Sequence, residues 1–555
     1  MKGTSKDPSS EYWRISGNLV DPVARRIRPA TLTLANGRIA AIAWDTIEHP
    51  TWLLPGFVDA HVHVESSLLP PREFARMAVA HGTVATVSDP HEIANVLGVP
   101  GVEAMLDDAC GSPLKFLFGA PSCVPATGFD HAGAVIDAAG VAALLDRPDI
   151  GYLSEMMNYP GVIAGDPDVL AKIAAAVARG KPVDGHAPQL TGEPLRRYVA
   201  AGITTDHECV SLAEAREKVE LGMQILIREG SAARNFDALA GLLDSRPDRC
   251  MLCSDDKHPD MLAVGHIDQL VRRALARGTS LFDVLQAATV NPVRHYGLPV
   301  GLLQPGDPAD FIEVDDLETL PVRRVFLDGR LAAADGATLW EHRPSATPNR
   351  FDAHPKAADD FAIRLPQAAG RSVRVIEALD GQLVTGSLTL PARMAQGCVV
   401  ADPEADVLLI AMVDRYDDRP PVVALVRNFG LRDGAIASSV SHDSHSVVAV
   451  GTSPAALARA VNLVIEARGG LAAVGPAGTR VLPLPIAGLM SDLPGPDVAA
   501  RYAEIDRFAK DLGSPLSAPF MTLSFMALLV IPALKIGPPG LFDVGRFAPV
   551  GLLAD

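Results

Sequence analysis

Six residues of metal-binding types stand out in this chain because each follows a short apolar run. The run at 56–60 leads into His61-Val62-His63. Glu155 follows the run at 150–154, His186 the run at 181–185, His207 the run at 203–206 and Asp255 the run at 250–254. Alternation along a strand puts His61 and His63 on one face, where two imidazoles can share a metal ion. Taken singly, each of these residues reads as an ordinary solvated or hydrogen-bonded loop residue. Together, four imidazoles and two carboxylates form a nitrogen and oxygen donor set suited to Zn, Mn or Fe rather than to thiolate-seeking ions. Glu155 can offer one oxygen to each of two ions, and a pair of ions polarises a shared water into a nucleophile.

Such residues must be carried by elements that converge. Between residues 54 and about 290, short apolar runs alternate with helical stretches, which predicts repeated βα units on a parallel sheet. The predicted strands lie at 56–60, 84–88, 114–119, 150–154, 181–185, 203–206, 223–228 and 250–254, with helices at 72–81, 169–179, 212–221, 267–277 and 281–289. Eight such units match a closed (β/α)8 barrel, where functional side chains project from the C-terminal strand ends. That is where the six residues fall.

The flanks differ in pattern. Residues 11–54 alternate apolar and polar positions around Gly17-Asn18 and Asn36-Gly37, a hairpin pattern, and 322–327 runs as a strand into the turn Asp328-Gly329. The fold class expected is therefore α/β: a catalytic barrel over 55–297 and a small β-domain built from 1–54 and 298–345. A proline-bearing linker at 341–357 leads to a C-terminal α/β domain over 358–555, with one clear helix at 455–468.

Composition narrows the function. The net charge of −17 opposes binding to phosphate backbones or anionic membranes, so neither nucleic acid nor a membrane is an expected partner. Six cysteines over 555 residues are too sparse for a disulfide framework and fit a reducing cytoplasm. Cys250 and Cys253 form a CxxC, but inside an apolar run, which favours core packing over metal or redox chemistry. The start, Met1 to Pro8 and on to Arg14, has no apolar stretch of the kind a secretory leader needs. The apolar run at 520–531 is stopped by Pro532 and Lys535 before the roughly 20 residues a bilayer needs, so it reads as a buried element.

Two stretches carry a resemblance. Leu54-Pro55-Gly56-Phe57-Val58-Asp59-Ala60-His61-Val62-His63 looks like the opening signature of the amidohydrolase superfamily, and Gly301-Leu302-Leu303-Gln304-Pro305-Gly306-Asp307-Pro308-Ala309-Asp310 like its post-barrel turn. Within it, Glu65-Ser66-Ser67, Asp89-Pro90-His91-Glu92-Ile93-Ala94-Asn95-Val96, Ser441-His442-Asp443-Ser444-His445 and the run from Pro483 to Ser491 resemble the bacterial adenine deaminase family. Ser446 stands where that family's pattern leads us to expect Asn.

The resemblance implies hydrolysis of adenine to hypoxanthine and ammonia in purine salvage, by a metal-activated hydroxide at two divalent ions, usually Mn or Fe, with Zn also suited. By the same pattern His61, His63 and Asp255 would hold one ion, His186 and His207 the other, with Glu155 between them. A glutamate at 155, in place of a metal-bridging modified lysine, argues against ring-opening amidohydrolases. A catalytically silent barrel is disfavoured because all six ligands are present.

Attack at C6 needs a base and a donor that protonates ring atom N1. Asp255 is the expected proton shuttle to the leaving amine. Glu92 is the preferred donor, held protonated by burial, with His91 and Asp256 as the other candidates. For Asp256 the other role is a cap on the following helix, and for His91 a supporting hydrogen bond or an extra ligand. His442 and His445 either reach the site or form a turn held by Ser and Asp side chains. A homodimer is the expected assembly.

Overall fold

The computed structural model describes residues 12–554. Residues 1–11, on which most of the leader argument rests and which open the first expected domain, lie outside that range. Trp13–Asp21 pairs antiparallel with Arg26–Ala35, from Trp13 opposite Leu34 to Asp21 opposite Arg26. Asn36-Gly37 then turns the chain into Arg38–Trp44, with positive φ at both residues (51° and 74°), as a tight hairpin requires.

Gly17-Asn18 is not a turn. Gly17 sits in mid-strand opposite Ala30, and a Cβ there would lie 2.7 Å from Leu53 Cγ. The glycine makes room for the side chain of a neighbouring strand. The sheet is completed from far along the chain: Phe311–Val314 pairs antiparallel with Trp52–Pro55, and Val322–Leu327, Arg330–Ala334 and Ala337–Thr338 extend it to eight strands.

A strand lies at each of the eight apolar runs read from the sequence: Phe57–Val62, Thr83–Ser88, Lys115–Ala120, Ile150–Met156, Val183–Gly185, Thr205–Asp206, Gln224–Arg228 and Cys250–Cys253. All are parallel, in arcs of five and three. Hydrogen bonds join the arcs at both ends. Thr204 N donates to Val183 O (2.9 Å) and Asp255 N to His61 O (2.9 Å). Most of these residues are buried, so the runs read as continuously apolar rather than alternating.

Helices follow the strands for local reasons. Asp166 caps Pro167–Ala178 by accepting from Asp168 N and Val169 N. Ile267–Ala276 buries Ile267, Leu270, Val271 and Ala274, one face at helical spacing. Cys250 and Cys253 are buried strand residues with thiol pKa pushed up by burial, as core packing predicts.

The C-terminal part centres on an eight-stranded, largely antiparallel sheet from Ser372–Glu377 to Gly478–Pro483, packed by Pro454–Glu466. A second long helix, Gly495–Asp511, was not foreseen in the sequence. It contacts both this sheet and the helix Pro259–Val264. Its first residue, Gly495, donates its N–H to Glu73 Oε2 (2.9 Å). The linker at 341–357 has no helix or strand but is not loose: Phe351 is buried, under the guanidinium of Arg415. No helix among the described residues is long and apolar enough to cross a membrane.

Candidate active site

The strand ends place five of the six candidate ligands around the sixth. Glu155 Oε1 lies 3.1 Å from His63 Nε2 and 3.9 Å from His61 Nε2, while Oε2 lies 2.6 Å from His186 Nδ1 and 3.0 Å from His207 Nε2. Each oxygen of one carboxylate thus faces a different pair of the candidate imidazoles, and His91 Nδ1 also lies 3.7 Å from Oε1. Asp255 Oδ1 sits 3.3 Å from His63 Nε2 and 3.7 Å from His61 Nε2, on the Oε1 side. All six side chains are buried.

These donors suit divalent cations. His63 Nδ1 lies 3.2 Å from the Asp89 carbonyl, a bond it can make only as donor, which turns Nε2 toward the ligand cluster. That nitrogen faces His61 Nε2 at 3.2 Å, and burial with the neighbouring His207 pushes the His61 imidazole down to about 3. Against burial, the neighbouring carboxylates raise the other three imidazoles, Asp255 and Glu155 acting on His63, and Glu155 and Glu208 on His186 and His207, so a metal bound here would displace protons from them. Burial alone would raise Glu155, yet His186 and His207 hold it well below the usual carboxylate range.

A polar scaffold fixes the ligands. Asp59 Oδ1 accepts from Ser254 N (3.0 Å) and His61 N (3.3 Å), while its Oδ2 accepts from Ser254 Oγ and faces His266 Nε2 (2.8 Å). The strand ends carrying His61 and Asp255 are tied through it. Asp206 accepts from Ala187 N (2.9 Å) and Glu208 N (2.9 Å), and the buried Lys218 ammonium lies 3.1 Å from it and donates to Ala187 O (2.7 Å). The loops bearing His186 and His207 are locked together in this way.

The sequence reading missed one pair. Arg228 grips Glu208 through both ends of its guanidinium (2.6 and 2.8 Å) and donates from Nη1 to Asp255 Oδ2 (2.5 Å). Burial would raise the Asp255 carboxyl, but Arg228 and His63 hold it well below its usual value. The available signal was Arg228 at the end of the seventh strand run, a charge where the pattern is apolar.

The outer candidates gather on the C-terminal part. Glu92 Oε1 contacts His442 Nδ1, and Oε2 lies 2.5 Å from His445 Nε2. His445 Nδ1 accepts from Ser441 N (3.2 Å), so its Nε2 carries the proton. Burial alone would favour the protonated Glu92 expected of a donor, but His442, His445 and His91 hold it well below the usual range.

Burial opposes a charge on His442, yet Glu92 and Asp256 raise its imidazole to about 9. Its Nε2 is 3.7 Å from Asp256 Oδ1. Asp256 does not cap the following helix, whose N-cap is His258; it accepts from Ser66 Oγ (2.5 Å), and burial raises its carboxyl. His91 lies 3.2 Å from Asp89 Oδ2, 3.5 Å from Glu92 Oε1 and 3.6 Å from Asp443 Oδ1, between the two layers. His442 and Asp443, with Leu383, Phe525 and Leu528, line the cavity over the ligand cluster, while His445 closes a turn with Ser441, its backbone N–H donating to Ser441 O (2.8 Å).

Buried imidazoles and carboxylates at the C-terminal ends of parallel strands define a metal-dependent hydrolase of the amidohydrolase class, and residues 52–332 match the amidohydrolase family itself. Residues 382–548 match the adenine deaminase C-terminal domain. The adenine deaminase of Salinibacter ruber is 60% identical over 98% of this chain and 99% of its own length. Those of Sulfurovum sp. and Methanosarcina acetivorans are 54% and 50% identical, over 96% and 97% of this chain and 98% and 99% of their own. The chain belongs to the adenine deaminase family of amidohydrolases.

Proposed function

We propose that this protein hydrolyses adenine to hypoxanthine and ammonia, a step of purine salvage. The observation that carries the reading is Glu155, one oxygen toward His61 and His63 and the other toward His186 and His207, in a chain similar to adenine deaminases from end to end. Two divalent ions, Mn or Fe with Zn also suited, would be held by His61, His63 and Asp255 on one side and by His186 and His207 on the other, with Glu155 shared. When bound, the ions polarise water so that a strong nucleophile exists near neutral pH.

The chain's own groups then move protons. Asp255, its Oδ2 held by Arg228, takes the proton of the attacking water on Oδ1 and passes it to the amine leaving C6. The balance is adenine plus water to hypoxanthine plus ammonia. His442, kept charged by Glu92, is the donor toward ring N1 and is recharged by the remaining proton of the C6 hydroxyl as the carbonyl forms, with Asp256 beside it and His91 bracing Glu92.

The eight parallel strands are read as a closed (β/α)8 barrel over 55–297. A β-domain from 1–54 and 298–345 and an α/β domain over 358–555 flank it. A homodimer, the commonest closed assembly, and a cytoplasmic setting, which suits six unpaired cysteines, complete the reading. The metal-loaded protein should release ammonia from adenine with formation of hypoxanthine. Turnover of hydantoin or cytosine with none of adenine would overturn the assignment and favour another amidohydrolase activity.

A further inference from the structure

The wall of the cavity opposite the ligand cluster is apolar and comes from separate segments, Leu383 in one and Phe525 and Leu528 in the other. Phe525 stacks on the imidazole of His442, ring centres 4.9 Å apart and 21° from parallel. Behind this wall lies Lys535, in the strand Leu534–Gly537, with none of its surface exposed. Its Nζ donates to Leu383 O (2.7 Å) and to Phe525 O (2.9 Å). Around it Thr385 Oγ1 donates to Leu534 O (2.8 Å), and Ala533 N to Thr385 O (3.0 Å), so both wall segments hang on one strand.

A lysine at such a place is unusual chemistry. Among the described residues no carboxylate pairs with it, and burial alone pushes its amine down to about 7. A methionine would fill the space without that penalty. A single nitrogen, however, can donate to carbonyls in two unrelated segments at once, which methionine cannot.

We propose that Lys535 is a positioning residue that sets the distance between the Leu383–Phe525 wall and the ligand cluster, and so the fit of the planar substrate face against that wall. The inference rests on the adenine reading above. It deepens that reading by placing the control of base binding in the C-terminal part, outside the residues that face the metals.

The test is steady-state kinetics on full-length, metal-loaded Lys535→Met and Lys535→Gln, with metal content and melting temperature measured beside them. A wall contact made alike in ground and transition states is lost as KM, not kcat. The Met variant should therefore keep its metal and melt no lower than wild type, while KM for adenine rises about tenfold and kcat changes less than about threefold. The Gln variant, which restores one donor group, should fall between.

A merely structural lysine predicts the reverse, a lower melting temperature and a lower active fraction at unchanged KM. That result, a KM within twofold of wild type, or failure of both variants to fold would overturn the proposal. Wild-type protein inactive on adenine would instead overturn the functional reading, so the two failures are distinct.

Discussion

Glu155 and Asp255 look alike as buried carboxylates beside imidazoles, but their second oxygens differ. Glu155 turns its Oε2 to His186 and His207, whereas Asp255 turns its Oδ2 to Arg228. Glu155→Gln should therefore lower bound metal and activity together, because a neutral amide bridges two cations poorly; elemental analysis beside ammonia release checks it. Asp255→Asn should cost roughly 10²–10⁴-fold in turnover, the range for losing a general base, with a smaller loss of metal. The pH profile has a defined sign. With His442 raised to about 9 by Glu92 and Asp256 against burial, activity should fall as pH rises through about 9 and that proton is lost. Glu92→Gln removes the largest raising influence, so the alkaline limb should move toward the ordinary imidazole value. A limb that stays in place would remove His442 as the donor.

At the scale of elements, close backbone approach sets the ligand spacing. Gly185 ends the fifth parallel strand, and a Cβ there would lie 2.3 Å from the Thr205 carbonyl oxygen of the sixth. Gly185→Ala must push apart the two strands that deliver His186 and His207. The expected cost is about 1–3 kcal/mol of stability, as for overpacking generally, with a loss of activity exceeding the unfolded fraction; denaturant unfolding and kinetics together check this. The apolar runs showed the eight strands plainly because both faces are buried. The helix Gly495–Asp511 did not stand out, because its apolar positions are spread between two partners, the C-terminal sheet and the helix Pro259–Val264.

For the molecule as a whole, binding only to the folded chain makes the metal a stability term. At about a thousand times the dissociation constant, a ligand adds roughly 4 kcal/mol. Chelation should therefore lower the melting temperature as well as abolish activity, and Mn²⁺ should restore both; a melting point indifferent to chelation would place the metal elsewhere. The sequence by itself determined the parallel-strand repeat and the six residues at its strand ends, since side-chain alternation and strand periodicity are local properties. It also determined the family, through motifs contiguous in the chain. Only the tertiary structure brings charge to Glu92, because His442 and His445 reach it from 350 and more residues away. The same holds for Arg228 gripping Asp255 and for Lys535 behind the cavity wall. A protonation state depends on which charges share a buried volume, and no local pattern encodes that.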